Sequence, residues 1–394
     1  MDETLFDQLR VLDFSQAGPG PLTGVLFADF GADVISVEPP GGATTRTLTS
    51  GALRPNYMRN KRSLVLNLKA EDSEQVVRSL VESADVLIHN NRPGTMERLG
   101  CDYETLRAYN DELVYCSLTG YGESGPYSDR PCFDPHAQAM SGLMWNTGEP
   151  DRKPSRVGAS LVSFAAAQAA AFGIMGALWN RERTGEGQKV EASLFDTAGS
   201  AMGYWYSYHE LTGTEPTRRG HSWDGYCPAG VFDTADEPVY LAIPSQRLWK
   251  RFCSAIDREE WVDHPKYGSD EDRLANREEL FAAIEEEFAP YDRAELMELL
   301  SGKGVPVSEV QTIPEAANDD HLRERGTVRE VPDIDGDVTG SMPAVKPART
   351  PPTIEHGPPE VGEHTAEILT DVGFDTDDIV QFDEDGVVSD AMRK

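Results

Sequence analysis

The stretch VLDFSQAGPGPLTGVLFADFGADVISVE, residues 11–38, decides the fold. A short apolar run, Val11–Phe14, ends at a Gly/Pro cluster, and a helical spacing of apolar residues then continues to Gly31. A second apolar run begins at Val34. Strand, glycine-rich turn, helix and strand in this order predict a parallel α/β sheet. We expect the turn after the first strand to face a ligand, because that end of such sheets carries the binding sites.

The alternation of strands and helices continues through the first half of the chain. Apolar runs predict strands at 85–90, near 113–118 and at 188–194, and a long alanine-rich helix within 156–176. The apolar part of that helix is interrupted by polar residues and glycine, which favours a buried helix over a membrane span.

The residue pattern changes near Thr212, where a segment that contains Gly, Pro and aromatic residues lacks the helical spacing of apolar residues. We predict a large α/β domain over residues 1–210 and a smaller α+β domain over 225–325. Residues 341–394 are predicted to form a proline-rich connector and a last helix that returns to the large domain.

The charge of the chain limits its partners. It has 394 residues with 68 acidic against 36 basic side chains, a formal net charge of -32. Such a chain repels nucleic acids and anionic membranes, so we expect neither as a partner. An acidic, solvated surface is typical of proteins that work in high salt, where screening weakens self-repulsion.

The cysteines and the first residues point to one compartment. Five cysteines without paired spacing indicate a reduced chain with no disulfide framework and no metal site. The segment MDETLFDQLR has no apolar core of signal-peptide length. We therefore expect a cytoplasmic protein.

Basic residues beside predicted strands are candidates for binding phosphates. Lys61 precedes a strand, and Arg92 and Arg98 follow the strand at 85–90. Cations at strand ends of an α/β sheet bind anionic ligands. The alternatives are a solvated basic turn for Lys61 and a local ion pair with Glu97 or Asp102 for Arg98.

Asp134 lies in a loop, Cys132–His136, before an apolar helix. An Asp directly before Pro135 is typical of a cap at the start of its own helix. A carboxylate that acts on substrate is the alternative for the same residue.

Several ordered segments resemble class III CoA-transferases over nearly the whole chain. They include VLDFSQAGPGP, FGADVISVEPPGG, NKRSLVLNLK, ADVLIHNNRPGTMERLG, FDPHAQAMSGLM and RERTGEGQKVEASLFDTA. The resemblance implies a homodimer of two interlocked rings, each with a Rossmann-like large domain and a smaller α+β domain. It also implies acyl-CoA as a substrate and no permanently bound cofactor.

The activity implied by the resemblance is transfer of CoA from an acyl-CoA to a free carboxylic acid. In the family an aspartate forms an acyl-enzyme anhydride and then an enzyme–CoA thioester. The acidic composition points to a halophilic archaeon. The resemblance implies a role in dicarboxylate metabolism there, so succinyl-CoA and a dicarboxylate such as mesaconate are the first expectation. Arg46, Arg54 and Arg219 are candidates for the distal carboxylate of that acid.

The resemblance also implies a set of site residues. Gln16 lies at the reaction centre. Contacts to CoA are implied for Ala17, Met58, Lys61, Asn90, Asn91, Arg92 and Arg98. The catalytic set is completed by Ser163 and Asp134.

Ser163 departs from the family pattern. The family nucleophile is an aspartate five residues after the glycine that corresponds to Gly158, and this position holds Ser163. Gly173, ten residues further on, supports the register. Three explanations stay open: an introduced substitution, a different route such as direct attack by the acceptor acid or a role for Asp134, or a binding protein without turnover.

Two further functions compete with CoA transfer. Racemases of the same superfamily carry a histidine where this chain has Phe133, and they use an acid at the position of Ser163. A 2-methylacyl-CoA racemase is therefore less favoured. A catalytically silent CoA-binding protein needs neither group and would fail to exchange CoA between acids.

We predict that the fold depends on salt, because the mutual repulsion of the acidic surface is screened only at high ionic strength. Dialysis from molar salt into dilute buffer is expected to abolish the far-ultraviolet circular dichroism of the native chain. Full ellipticity and activity in dilute buffer would contradict this prediction.

Overall fold

The structure, a computed structural model, describes residues 4–223, 225–333 and 336–389. The strands are β1 (Arg10–Asp13), β2 (Asp33–Glu38), β3 (Lys61–Val65), β4 (Val86–His89), β5 (Val114–Thr119), β6 (Lys189–Ser193), β7 (Ala229–Phe232), β8 (Val239–Ala242), β9 (Val307–Glu309), β10 (Val328–Val331) and β11 (Val338–Ser341).

Seventeen α-helices are present in the described residues, and those of the first half of the chain alternate with the strands. They are α1 (Pro19–Ala28), α2 (Arg54–Tyr57), α3 (Ser73–Glu82), α4 (Thr95–Arg98), α5 (Tyr103–Leu106), α6 (Asp134–Met140), α7 (Leu161–Thr184), α8 (Leu194–Ala201), α9 (Gly203–Thr212), α10 (Gln246–Ala255), α11 (Asp270–Ala275), α12 (Arg277–Phe288), α13 (Arg293–Gly302), α14 (Ile313–Ala317), α15 (Asp320–Glu324), α16 (Thr365–Asp371) and α17 (Thr376–Glu384). Short 3₁₀ helices lie at Thr44–Arg46, Leu48–Gly51 and Glu259–Asp263.

Six strands form one parallel sheet in the order β3-β2-β1-β4-β5-β6, which confirms the predicted α/β fold. The chain builds outward from β1 to β3 on one side and from β4 to β6 on the other. The order of strands therefore reverses between β1 and β4. Ligands of open parallel sheets bind at this reversal, beyond the carboxyl ends of the two strands.

Both faces of the sheet are covered, which explains why its strands are apolar without alternation. Neighbouring residues of a strand point to opposite faces. Leu12 packs with Ile368 and Phe382 from the end of the chain in one apolar cluster. Val11 belongs to a second cluster that includes Ile174 of α7.

The described chain forms two compact units. The first contains the described parts of residues 1–143, 157–211 and 320–394, and the second contains 144–156 and 212–319. The second unit holds the antiparallel sheet β7-β8-β9 beside an aromatic core that includes Trp249 and Phe288. Residues 144–156, which the sequence-based division placed in the large domain, lie in the second unit.

Helix α7 is 24 residues long and is followed by its cap residue Gly185, whose positive φ of 73° suits a residue without a side chain. Of the residues that the structure describes, it forms the one helix long and apolar enough to cross a membrane by length and composition. In its most apolar window 44% is buried inside the protein, and core helices pass the same test.

A buried ion pair joins β1, β3 and α1. Lys61 Nζ lies 2.7 Å from Asp13 Oδ2, with the two side chains 0% and 1% exposed. The ammonium also donates to Pro21 O at 2.8 Å, and the Ser15 N–H donates to Asp13 Oδ1 at 3.0 Å. A Cβ on Gly24 would lie 2.9 Å from both charged groups, so this position of α1 requires glycine.

We predict that Lys61→Ala lowers the free energy of unfolding by about 3–5 kcal/mol, because Asp13 would stay buried without its counter-charge. Urea unfolding in high salt measures the change. Lys69→Ala, at an exposed position beyond β3, is the matched control and is expected to be nearly neutral. Equal stability of the two variants would contradict the prediction.

Candidate active site

A cavity of about 360 Å³ opens at the carboxyl ends of the central strands of the first unit. Its walls are formed by residues 16–19 after β1, 90–92 after β4, 118–120 at the end of β5 and 132–134 before α6, together with Ser163 of α7. The cavity therefore lies where the strand order reverses between β1 and β4, as the ligand rule for such sheets requires.

Asn90 holds the turn after β1 in place. Its Oδ1 accepts from the Gln16 N–H at 3.0 Å, and its Nδ2 donates to the Ala17 carbonyl. The Gln16 carbonyl accepts from the Thr45 N–H at 2.9 Å and from Thr44 Oγ1 at 3.0 Å. The side-chain amide of Asn90 thus joins the ends of β1 and β4 at the cavity wall.

Asp134 is 8% exposed, and each of its carboxylate oxygens accepts a hydrogen bond. Oδ2 accepts from the Ser163 N–H at 2.7 Å, and Oδ1 accepts from Gln138 Nε2 at 2.6 Å. Gln138 is itself oriented by Val157, whose N–H donates to Oε1 at 2.9 Å.

The expectation that Asp134 caps its own helix is wrong. Phe133 occupies the cap position of α6, and Asp134 is the first residue inside that helix. The carboxylate instead accepts from the N–H of Ser163, the third residue of α7. The cap residue of α7, Ser160, makes no side-chain capping hydrogen bond to this helix. Free N–H groups and the helix dipole attract negative charge to this end of α7.

The cavity brings together seven of the predicted site residues. They are Gln16, Ala17, Asn90, Asn91, Arg92, Asp134 and Ser163. Among its lining residues Arg92 is the cation and Asp134 the carboxylate. The wall therefore offers one charge of each sign.

Three of the predicted CoA contacts lie outside the cavity wall. Lys61 is engaged with Asp13, so a contact of its ammonium with a phosphate requires that pair to open. Met58 is 2% exposed. Arg98 is exposed and donates to Thr95 Oγ1 at 3.0 Å, at the carboxyl-terminal side of the strand that ends at the cavity.

Two of the arginines considered for a distal carboxylate already have partners. Arg46 binds Glu38 at 2.5 Å and the Pro359 carbonyl at 2.7 Å. Arg54 lies 2.7 Å from Asp333. Arg219 belongs to the second unit. Arg46 and Arg54 thus serve internal ion pairs in this structure.

The neighbouring titratable side chains are not poised for catalysis. Burial raises the pKa of the Cys132 thiol, which disfavours a thiolate nucleophile. Burial lowers the pKa of His89, next to Asn90, to about 4, so this imidazole is neutral at neutral pH. At the cavity, Phe133 is 68% exposed and offers no proton-transfer group where the racemases carry histidine.

Gln138 is the residue that sequence reasoning missed. It lies four residues after Asp134, the spacing at which side chains of one helix face meet. That spacing could have identified it once Asp134 was placed at the start of α6. Its completely buried amide would then have required a polar partner.

Comparison with known proteins gives the family. The sequence model for CoA-transferase family III matches residues 6–365. Succinyl-CoA:mesaconate CoA-transferase of Haloarcula marismortui is 36% identical over 387 residues, with 94% of this chain and 97% of that protein covered. Acetyl-CoA:oxalate CoA-transferase of Acetobacter aceti is 37% identical over 320 residues, covering 79% of this chain and 82% of that protein.

Solved structures share the fold. A CAIB/BAIF family protein from Brucella suis superimposes with a TM-score of 0.86 at 30% sequence identity. The match covers 94% of this chain and all of that one. Sequence and structure therefore agree on the same superfamily across both compact units.

Proposed function

Because the chain belongs to CoA-transferase family III, we propose that it moves CoA from succinyl-CoA to a free dicarboxylic acid, with mesaconate as the first candidate. The observation that carries this proposal is the near full-length similarity to the Haloarcula enzyme. The strongly acidic composition, with a net charge of -32, supports a shared high-salt setting. The same proposal places the enzyme in the cytoplasm, where its free cysteines stay reduced.

The cavity at the strand reversal suits the thioester end of an acyl-CoA. Gln16, Ala17, Asp134 and Ser163, which all line this cavity, would surround the reaction centre. Arg92 and Arg98, after β4, would meet anionic parts of the ligands, since guanidinium groups bind phosphates and carboxylates with paired hydrogen bonds. CoA is a substrate here, and no resident cofactor is part of the proposal.

Oxalate is the second candidate acceptor, because one similar relative is an acetyl-CoA:oxalate CoA-transferase. The glycine-rich segment of oxalate-specific family members is not evident after Arg219 in the sequence. This difference favours a longer dicarboxylate. A racemase is disfavoured because the side chain of Phe133, which lines the cavity, cannot accept or donate a proton.

A homodimer is part of the same proposal. Large apolar side chains form a stripe along one face of α7, and Phe172 and Trp179 are 83% and 70% exposed. Leu211 at the end of α9 is 85% exposed. Exposed apolar patches of this kind mark association surfaces, and a second copy of this chain is the occupant that the family resemblance favours.

We predict transfer of CoA from succinyl-CoA to mesaconate in high salt, measured by chromatography of mesaconyl-CoA and free succinate. The panel of acids includes oxalate, glutarate and malate, with acetyl-CoA as a second donor. Preferred transfer from acetyl-CoA to oxalate would replace the substrate assignment. Binding of CoA without transfer to any acid would contradict the proposed activity.

A second measurement tests the CoA contacts. Arg98→Ala is expected to raise the KM for succinyl-CoA by about tenfold or more, the effect of losing one charge-assisted hydrogen bond. Arg107→Ala is the control, because Arg107 is an exposed arginine directly after α5. The KM of this variant is expected to stay unchanged. An unchanged KM in the Arg98 variant would count against this contact.

We predict that Trp179→Glu converts the dimer to a monomer, because a charge in the α7 stripe would be buried without a partner. Sedimentation equilibrium in high salt measures the mass. Gln75→Glu adds the same charge at an exposed position of α3 and is expected to leave the dimer intact. A monomeric unmodified chain would refute the proposed assembly.

A further inference from the structure

We propose that the carboxylate of Asp134, and not the hydroxyl of Ser163, is the nucleophile of the CoA transfer; this inference rests on the proposed function. The cavity has no carboxylate at position 163, where the resemblance leads one to expect it. Asp134 is the carboxylate among its lining residues. Its Oδ2 lies 2.7 Å from the backbone nitrogen of residue 163.

The short contact places the Asp134 carboxylate beside the turn of α7 that carries Ser163. Two hydrogen bonds, from the Ser163 N–H and from Gln138 Nε2, hold the group in one orientation. A carboxylate has about four lone-pair sites, so two donors leave sites free to attack. The group is 8% exposed and lines the cavity, which gives a thioester access to it.

The chemistry of the exchange requires a carboxylate more than a hydroxyl. Thioester and anhydride both keep the acyl group activated, so each step of the transfer is readily reversible. A serine ester is less activated, so CoA thiolate would re-form a thioester from it only against a free-energy difference, and a serine side chain has no carbonyl to carry CoA. Serine also requires a base, and none of the described residues that line this cavity is a histidine.

The steps balance as follows. The Asp134 carboxylate attacks the acyl-CoA carbonyl, an oxygen–carbon bond forms, and the carbon–sulfur bond breaks to release CoA thiolate. The thiolate attacks the Asp134 carbonyl of this anhydride, which forms the Asp134–CoA thioester and releases the first acid as a carboxylate. The acceptor carboxylate then attacks this thioester, and the released thiolate takes the new acyl group, which restores Asp134.

The first test is the half-reaction, because it needs no acceptor acid. The unmodified chain is incubated with succinyl-CoA in high salt, reduced with borohydride, digested and analysed by mass spectrometry. We expect reduction of the Asp134 side chain to the alcohol, which is the product of an acyl anhydride or thioester at that residue. Modification of Ser163, or of neither residue, would overturn the inference.

Substitutions give the second test. Asp134→Asn is expected to lower the exchange rate by about 1,000-fold or more, as expected for loss of a covalent nucleophile. Ser163→Ala is expected to lose no more than about tenfold, since its backbone N–H still holds Asp134. A larger loss of exchange rate in Ser163→Ala than in Asp134→Asn would overturn the inference. Met140→Leu, at an exposed position of α6, is the control for substitutions in this helix.

The two tests separate the inference from the proposed function. Label on Asp134 without transfer to any acid supports the nucleophile and contradicts the proposed acceptor reaction. Transfer without label on Asp134 supports the function and overturns the nucleophile. Label on Ser163 would then assign that role to the serine, and label on neither residue would point to direct attack by the acceptor. Because labelling uses the unmodified chain, the result does not depend on whether Asp134→Asn folds.

Discussion

The buried pair of Lys61 and Asp13 is the contact on which the rest of the first unit depends. Each charge is shielded from water, so neither group is stable there without the other. The pair joins the end of β1 to β3 and to the first turn of α1. The turn after β1 is thereby fixed, and Asn90 connects that turn to β4. The position of this part of the cavity wall therefore depends on the need of two buried charges to stay paired.

A second part of the cavity wall depends on helix α7, whose first turn is capped by a carboxylate from another part of the chain. Asp134 satisfies an N–H in the first turn of α7, so the same carboxylate completes the helix and faces the cavity. A carboxylate that also caps a helix is held more rigidly than a free side chain. This rigidity favours catalysis, because less reorganisation of the carboxylate is needed when the reaction takes place.

The sheet could be predicted from the sequence because apolar periodicity and glycine turns are local signals. The location of the cavity followed from the same reasoning, since it depends only on where strands end. The partners of charged residues could not be predicted in this way. Lys61 and Asp13 are 48 residues apart, and Asp134 and Ser163 are 29 apart. No local pattern distinguishes a lysine that binds a ligand from one that supports the frame.

The buried ion pairs also determine where the charge of the molecule resides. Asp13–Lys61, Asp29–Arg59 and Glu38–Arg46 are each neutral as a pair and almost closed to water. They contribute nothing to the net charge of -32, which is therefore carried by groups in contact with solvent. Dissolved ions form an atmosphere around that outer layer and scarcely reach the inner pairs. The buried pairs therefore help to set the geometry inside the first unit, whereas the ions around the acidic surface determine whether the folded state is stable.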